Sequence, residues 1–94
     1  MLPGNLSAAS MFQNSVLLHN ATIMIRLKAI LAANIRKYRK KLRLTQEQAA
    51  ERAGMSVNYW QRLELPAQIE TPSFRAFYRI ARTLRVKCFQ LLKE

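Results

Sequence analysis

The stretch LTQEQAAERAGMSVNYWQRLE, residues 44–64, constrains this chain more than any other. Thr45 and Gln48 have the spacing of a capping box, in which a hydroxyl and a carboxamide each satisfy a backbone N–H of a first helical turn. Glu47 puts negative charge in that turn, where the helix dipole favours it. The helix runs to about Ala53. Gly54 is a natural left-handed stop residue, Met55 an apolar plug, and Ser56 a cap for the next helix. Pro66 cannot sit inside a helix without deleting a hydrogen bond. The next helix therefore spans Val57 to about Leu65.

That second helix has two faces. At roughly 100° per residue, Trp60 and Leu63 share one side, and Asn58, Gln61 and Arg62 the other, with Val57 on the flank. The first side is core, and Trp60 reads as a core plug because it shares a face with Leu63. The second side carries amide and guanidinium groups whose geometry suits base edges: arginine to guanine, asparagine or glutamine to adenine. A sharp turn at Gly54 lets one helix cross a phosphate backbone while the next enters a major groove. Tyr59 lies between the faces, to hydrogen-bond a phosphate or to cover the edge of the core.

Upstream, Leu27, Leu31, Ile35, Tyr38 and Leu42 recur at helical steps from Ile23 onward. Arg36, Lys37, Arg39, Lys40, Lys41 and Arg43 crowd the other positions, densest at the C-terminal end, where the dipole favours cations. Residues 1–22 contain no Lys, Arg, Asp or Glu. They lack the positive start and unbroken apolar stretch of a secretory signal and read as a flexible or loosely helical arm over 1–23. Met24 opens the patterned region and is an alternative translation start. Downstream, Thr71 suits an N-cap and Pro72 a first helical position. Phe74, Phe77, Ile80, Ala81 and Leu84 mark a fourth helix, and Val86, Phe89 and Leu92 a short fifth. No strand pattern is found, so the fold class is all-α.

The chain has 94 residues, the length of one small domain, with 16 Lys and Arg against 5 Asp and Glu, a formal charge of +11. Such an excess points first to nucleic acid, then to an anionic membrane surface. The single cysteine, Cys88, cannot form an internal disulfide and fits a reducing, cytoplasmic setting. Cys88 and His19 stand alone, with no zinc spacing and no nucleophile–base set. No metal, cofactor or catalysis is expected. No stretch approaches the roughly 20 apolar residues of a membrane span. The cations of the first helix are not segregated from a broad apolar face, which ranks membrane-surface binding last.

Residues 31–92 resemble the phage-repressor-type (Cro/cI or Xre-like) helix-turn-helix domain. The matching residues are Ile35-Arg36 and Arg39; Leu44-Thr45-Gln46, Ala49-Ala50 and Ala53-Gly54-Met55-Ser56; Trp60, Leu63 and Glu64; Pro72-Ser73-Phe74; and Ile80-Ala81, Leu84 and Val86. The resemblance implies a compact five-helix, lambda-repressor-like domain over 24–94 with an N-terminal extension. It places Gln46 on a phosphate and Val57, Asn58 and Arg62 on bases, with Gln61 beside them. Arg39 and Glu64 fall where the family has an ion pair fastening the first helix to the recognition helix. Beside such a unit, Thr45, Tyr59, Lys41 and Arg43 become candidate phosphate contacts. A second basic set, Arg75, Arg79, Arg82, Arg85 and Lys87, faces the DNA backbone, an acidic partner or solvent.

Three positions depart from the family. Pro66 stands two residues after Glu64, where glycine is usual, and the loop to Pro72 is about two residues longer. Arg85 stands where glycine is common, and Trp60 replaces a smaller core residue. The expected function is a sequence-specific DNA-binding transcriptional regulator that leans towards repression. It would bind double-stranded DNA as a homodimer on half-sites about one helical turn apart. The dimer surface would be the C-terminal end, with Phe89 and Leu92, or the N-terminal arm. The alternative is an antitoxin whose main partner is a toxin protein.

Overall fold

The computed structural model describes residues 3–68 and 71–94, with side chains from Ser15 onward. Four α-helices follow in order: α1 (Pro3–Lys41), α2 (Gln46–Ala53), α3 (Val57–Leu63) and α4 (Phe74–Leu84). A short 3-10 helix, η1 (Cys88–Leu92), closes the chain. Among the described residues there is no strand. The expected fifth helix is thus a 3-10 turn, in which Leu91 is buried while Phe89 and Leu92 stay exposed.

The expected arm and first helix form one 39-residue helix, α1, over the described residues. Met1, Leu2 and the side chains up to Asn14 lie outside them. Leu31, Ala32 and Ile35 on α1 meet Ala49, Ala50 and Ala53 of α2, Trp60 and Leu63 of α3, and Ile80, Ala81 and Leu84 of α4 in one core. Small alanines on α2 let α3 and α4 approach it closely, and α1 packs across α3, α4 and η1. Leu27, expected on the buried stripe, lies at its edge, and Lys28 takes the place inside.

The membrane expectation needs correcting. Within Ser15–Lys41, α1 holds a stretch with mean hydropathy 1.5, long and apolar enough to cross a membrane by length and composition. Long runs of leucine, isoleucine and alanine outweigh the two interrupting cations, Arg26 and Lys28. The C-terminal part of that stretch is committed to the domain through Lys28, Leu31, Ala32 and Ile35.

The local signals act largely as expected. Thr45 and Gln48 form a reciprocal capping box, with bonds of 3.0 and 2.9 Å. Ser56 Oγ accepts from Tyr59 N at 3.1 Å. Gly54 is left-handed at φ 69°, with its N–H on Glu51 O and that of Met55 on Ala50 O. The same 6→1 and 5→2 closure ends α1 at Arg43 and α4 at Arg85, both at φ 59°. Arg85, which stands where glycine is common in the family, is therefore left-handed, and Arg43 adds a second such position that the sequence did not announce. Residues other than glycine are strained there.

Two boundaries shift. α4 is capped by Ser73, whose Oγ accepts from Ala76 N at 3.1 Å, and begins at Phe74 rather than Pro72. Phe74 projects into solvent, 94% exposed, instead of joining the buried stripe. α3 stops at Leu63 instead of Leu65. The loop expected to be longer than usual contains residues 69 and 70, which lie outside the described residues.

Candidate nucleic-acid interface

The seating of α3 decides what it can offer a ligand. Trp60 and Leu63 are fully enclosed, while Asn58 and Gln61 are exposed on the opposite side. Val57 and Tyr59 are half-buried on the two flanks. Arg62 is half-buried, its guanidinium stacked 5.6 Å from the centre of the Tyr59 ring one turn earlier. The helix thus turns an amide–amide–guanidinium surface outward over an indole and leucine base.

Glu64, just past the end of α3, is the junction of three helices. Its carboxylate accepts from Arg39 Nε at 2.5 Å and Nη2 at 2.9 Å. It also accepts from Trp60 Nε1 at 2.6 Å and Gln46 Nε2 at 3.1 Å. Arg39 also donates through Nη1 to Leu44 O at 2.7 Å, clasping the turn that ends α1. Burial alone would raise the carboxyl pKa, but the bonds from Arg39, Trp60 and Gln46 and the Arg39 charge win, and it is lowered. A buried ion pair needs further hydrogen bonds to offset its desolvation, and this one has them. Trp60, larger than the usual residue at its position, uses its extra ring to reach this carboxylate. Among the described residues, every buried side-chain nitrogen and oxygen has a partner.

A second anchor was missed by sequence reasoning. Lys28, 2% exposed, sends its ammonium to the C-terminal end of α3. Nζ donates to Arg62 O at 3.1 Å, Leu63 O at 3.3 Å and Leu65 O at 2.8 Å. The ammonium sits at the negative end of a helix dipole, where a cation is favoured; Arg62 O and Leu65 O also accept from Leu65 N and Gln68 N, each at 3.2 Å. Lys28 thus ties the C-terminal end of α3 to α1. The signal was a lysine three residues before Leu31 and seven before Ile35, on the apolar stripe itself. Asn34 acts similarly, donating to Leu91 O and Lys93 O at 2.9 and 2.8 Å to tie α1 to the C-terminal segment.

The phosphate candidates fall around the start of α2. Lys41, Arg43 and Thr45 are exposed along the turn from α1. Thr45 Oγ1 accepts the cap bond from Gln48 N, leaving its own proton to donate outward. Gln46 has one amide proton on Glu64 and retains a second proton and its carbonyl oxygen. Arg36, Gln46 and Gln61 open onto one notch over Arg39 and Glu64. The second basic set divides: Arg79, Arg82 and Arg85 join Arg52 of α2 around a separate cleft beside Gly54. Among the described residues, no three His, Cys, Asp or Glu side chains are grouped as a metal site.

The helix-turn-helix domain family matches residues 30–87, more than half of the chain. No curated protein matches it. Among solved structures, the hypothetical transcription factor NHTF from Neisseria is similar, with a TM-score of 0.66 and 28% identity over 73% of this chain and 75% of that one. The matched span contains the capped α2, the left-handed turn, the seated α3 and the Arg39–Glu64 junction. The chain belongs to the helix-turn-helix domain family.

Proposed function

We propose that this protein reads operator DNA in the major groove with α3 and represses transcription as a homodimer on two half-sites. The observation that carries the reading is the division of α3: an inner face locked by Trp60, Leu63 and the Glu64 junction, and an outer face of Asn58, Gln61 and Arg62. In this reading Val57, Asn58, Gln61 and Arg62 meet base edges, which supply specificity. Thr45, Gln46, Tyr59, Lys41 and Arg43 meet phosphates, which fix register. The Glu64 junction acts through position, holding the tilt of α3 against α1 and α2 so that the outer side chains arrive together.

The +11 charge supplies the sequence-independent attraction and predicts a steep fall of affinity with salt. One short helix reads few base pairs, so two copies on half-sites about one turn apart give useful specificity. The work is done where the DNA is, in the cytoplasm. No activation surface is invoked: a protein seated across an operator represses by occupying it.

Selection of bound duplexes from a random pool tests the reading. The expected result is an enriched motif with two symmetry-related halves about one helical turn apart. A pool that binds tightly but shows no motif at any position would refute base reading.

A further inference from the structure

The N-terminal half of α1 stands clear of the domain. From Ser15 to Leu27 its large side chains, Val16, Leu17, Leu18, Ile23, Met24 and Ile25, are between 41% and 69% exposed. At roughly 100° per residue they fall on three sides of the helix. Leu17 and Met24 continue, at steps of seven, the face on which Leu31 enters the core. Val16 with Ile23, and Leu18 with Ile25, flank it. A helix apolar on several sides draws its stability from what packs on it.

The Leu17–Met24 face runs into a groove of about 190 Å³ on the domain itself. Met24, Leu27 and Leu31 of α1, Phe74 and Phe77 of α4 and Leu92 line it. Phe74, the most exposed large apolar side chain of the described residues, stands at its rim.

Charge selects the occupant. The chain carries +11, yet residues 1–25 hold no charged side chain. Elsewhere two copies would bring cation against cation; at the arm they approach without that cost. An acidic partner would find nothing to pair with there. A lipid bilayer fits less well, because Lys28, Leu31 and Ile35 are committed to the domain.

We propose that this surface takes a second copy of the chain, the arm of each protomer (residues 15–27) lying in the groove of the other. The path offers only a handful of exposed apolar side chains per protomer, a small contact. That is at the low end for specific interfaces, so the dimer is weak alone and strengthened by two half-sites on one duplex. The inference deepens the reading of a dimeric DNA binder and rests on it.

Sedimentation equilibrium of the full chain without DNA tests it, so that a failure of DNA reading leaves this test standing. The parent should dimerise reversibly. The double variant Leu17→Lys, Met24→Lys, altered only at exposed positions, should keep its Trp60 fluorescence and dimerise at least about tenfold more weakly. Phe89→Lys, exposed but outside the groove, should dimerise like the parent. The proposal is overturned if the double variant dimerises as well as the parent, or if Phe89→Lys alone abolishes the dimer. It is also overturned if the parent stays monomeric, whether or not it binds phosphatidylcholine vesicles through the same two residues.

Discussion

Replacing Lys28 by methionine isolates the anchor beneath α3. Methionine keeps an unbranched apolar stem but has no donors, so the carbonyls of Arg62, Leu63 and Leu65 lose the ammonium that now reaches each of them within 3.3 Å. A hydrogen bond to a charged group contributes roughly 1.5–3 kcal/mol, and a buried acceptor left alone costs about 1–3 kcal/mol. The bond to Leu63 O is buried, while Arg62 O and Leu65 O, at part-buried bonds, keep backbone donors in Leu65 N and Gln68 N. Against the loss stands the relief of no longer burying an ammonium. The net expectation is a destabilisation of about 2–4 kcal/mol, a large share of the roughly 5–14 kcal/mol available to a chain of this size. Urea unfolding followed by the fluorescence of Trp60, the single tryptophan, should show a midpoint lower by about 1–3 M at an unchanged slope. A midpoint equal to the parent's, or higher, would mean that desolvation outweighs the three bonds, and the anchoring argument would be wrong.

Arg62→Ala should cost about 1–3 kcal/mol on the cognate duplex and relax preference at one base position; equal loss on all duplexes would count against base reading. Gln46→Ala should weaken all duplexes alike, measured by the same titrations. Arg85→Gly, at a left-handed position (φ 59°), should raise stability by about 0.5–1 kcal/mol in thermal melts; a lower melting point would show that Arg85 makes compensating contacts. Acid should weaken the fold through Glu64. Its folded pKa lies below the ordinary 4.5, so its contribution is full above the unfolded value and drains away as pH falls through the folded one. Glu64→Gln should flatten that part of the pH–stability curve, and an unchanged curve would remove Glu64 as the source.

Much of the site was legible because it rests on local rules. The capping box at Thr45, the Gly54 turn, the Ser56 cap and the two faces of Val57–Leu63 depend on neighbours within a few residues. The Arg39–Glu64 pair came from family resemblance, but the part played by the Trp60 indole and Gln46 did not, because a shared carboxylate is a matter of three dimensions. Lys28 was hidden for the same reason: sequence periodicity scores a lysine as surface, whereas an ammonium that finds helix-end carbonyls can be buried. Phe74 failed in the opposite direction. It carries the right residue type at the right step, but Ser73 starts the helix just before it, and its side chain leaves the core. The expectation that no stretch approaches a membrane span overlooked that the average over part of Ser15–Lys41 remains apolar despite Arg26 and Lys28.

The separation of the two faces of α3 bears on retargeting. Asn58 and Gln61 are exposed and outside the Glu64 junction, so, under the proposed reading, libraries at these two positions can be screened for new operator preferences with little loss of folded protein. Arg62 is less interchangeable, since its guanidinium leans on Tyr59 and a replacement there alters both. A designer redirecting this protein would vary the first pair freely and the second pair together.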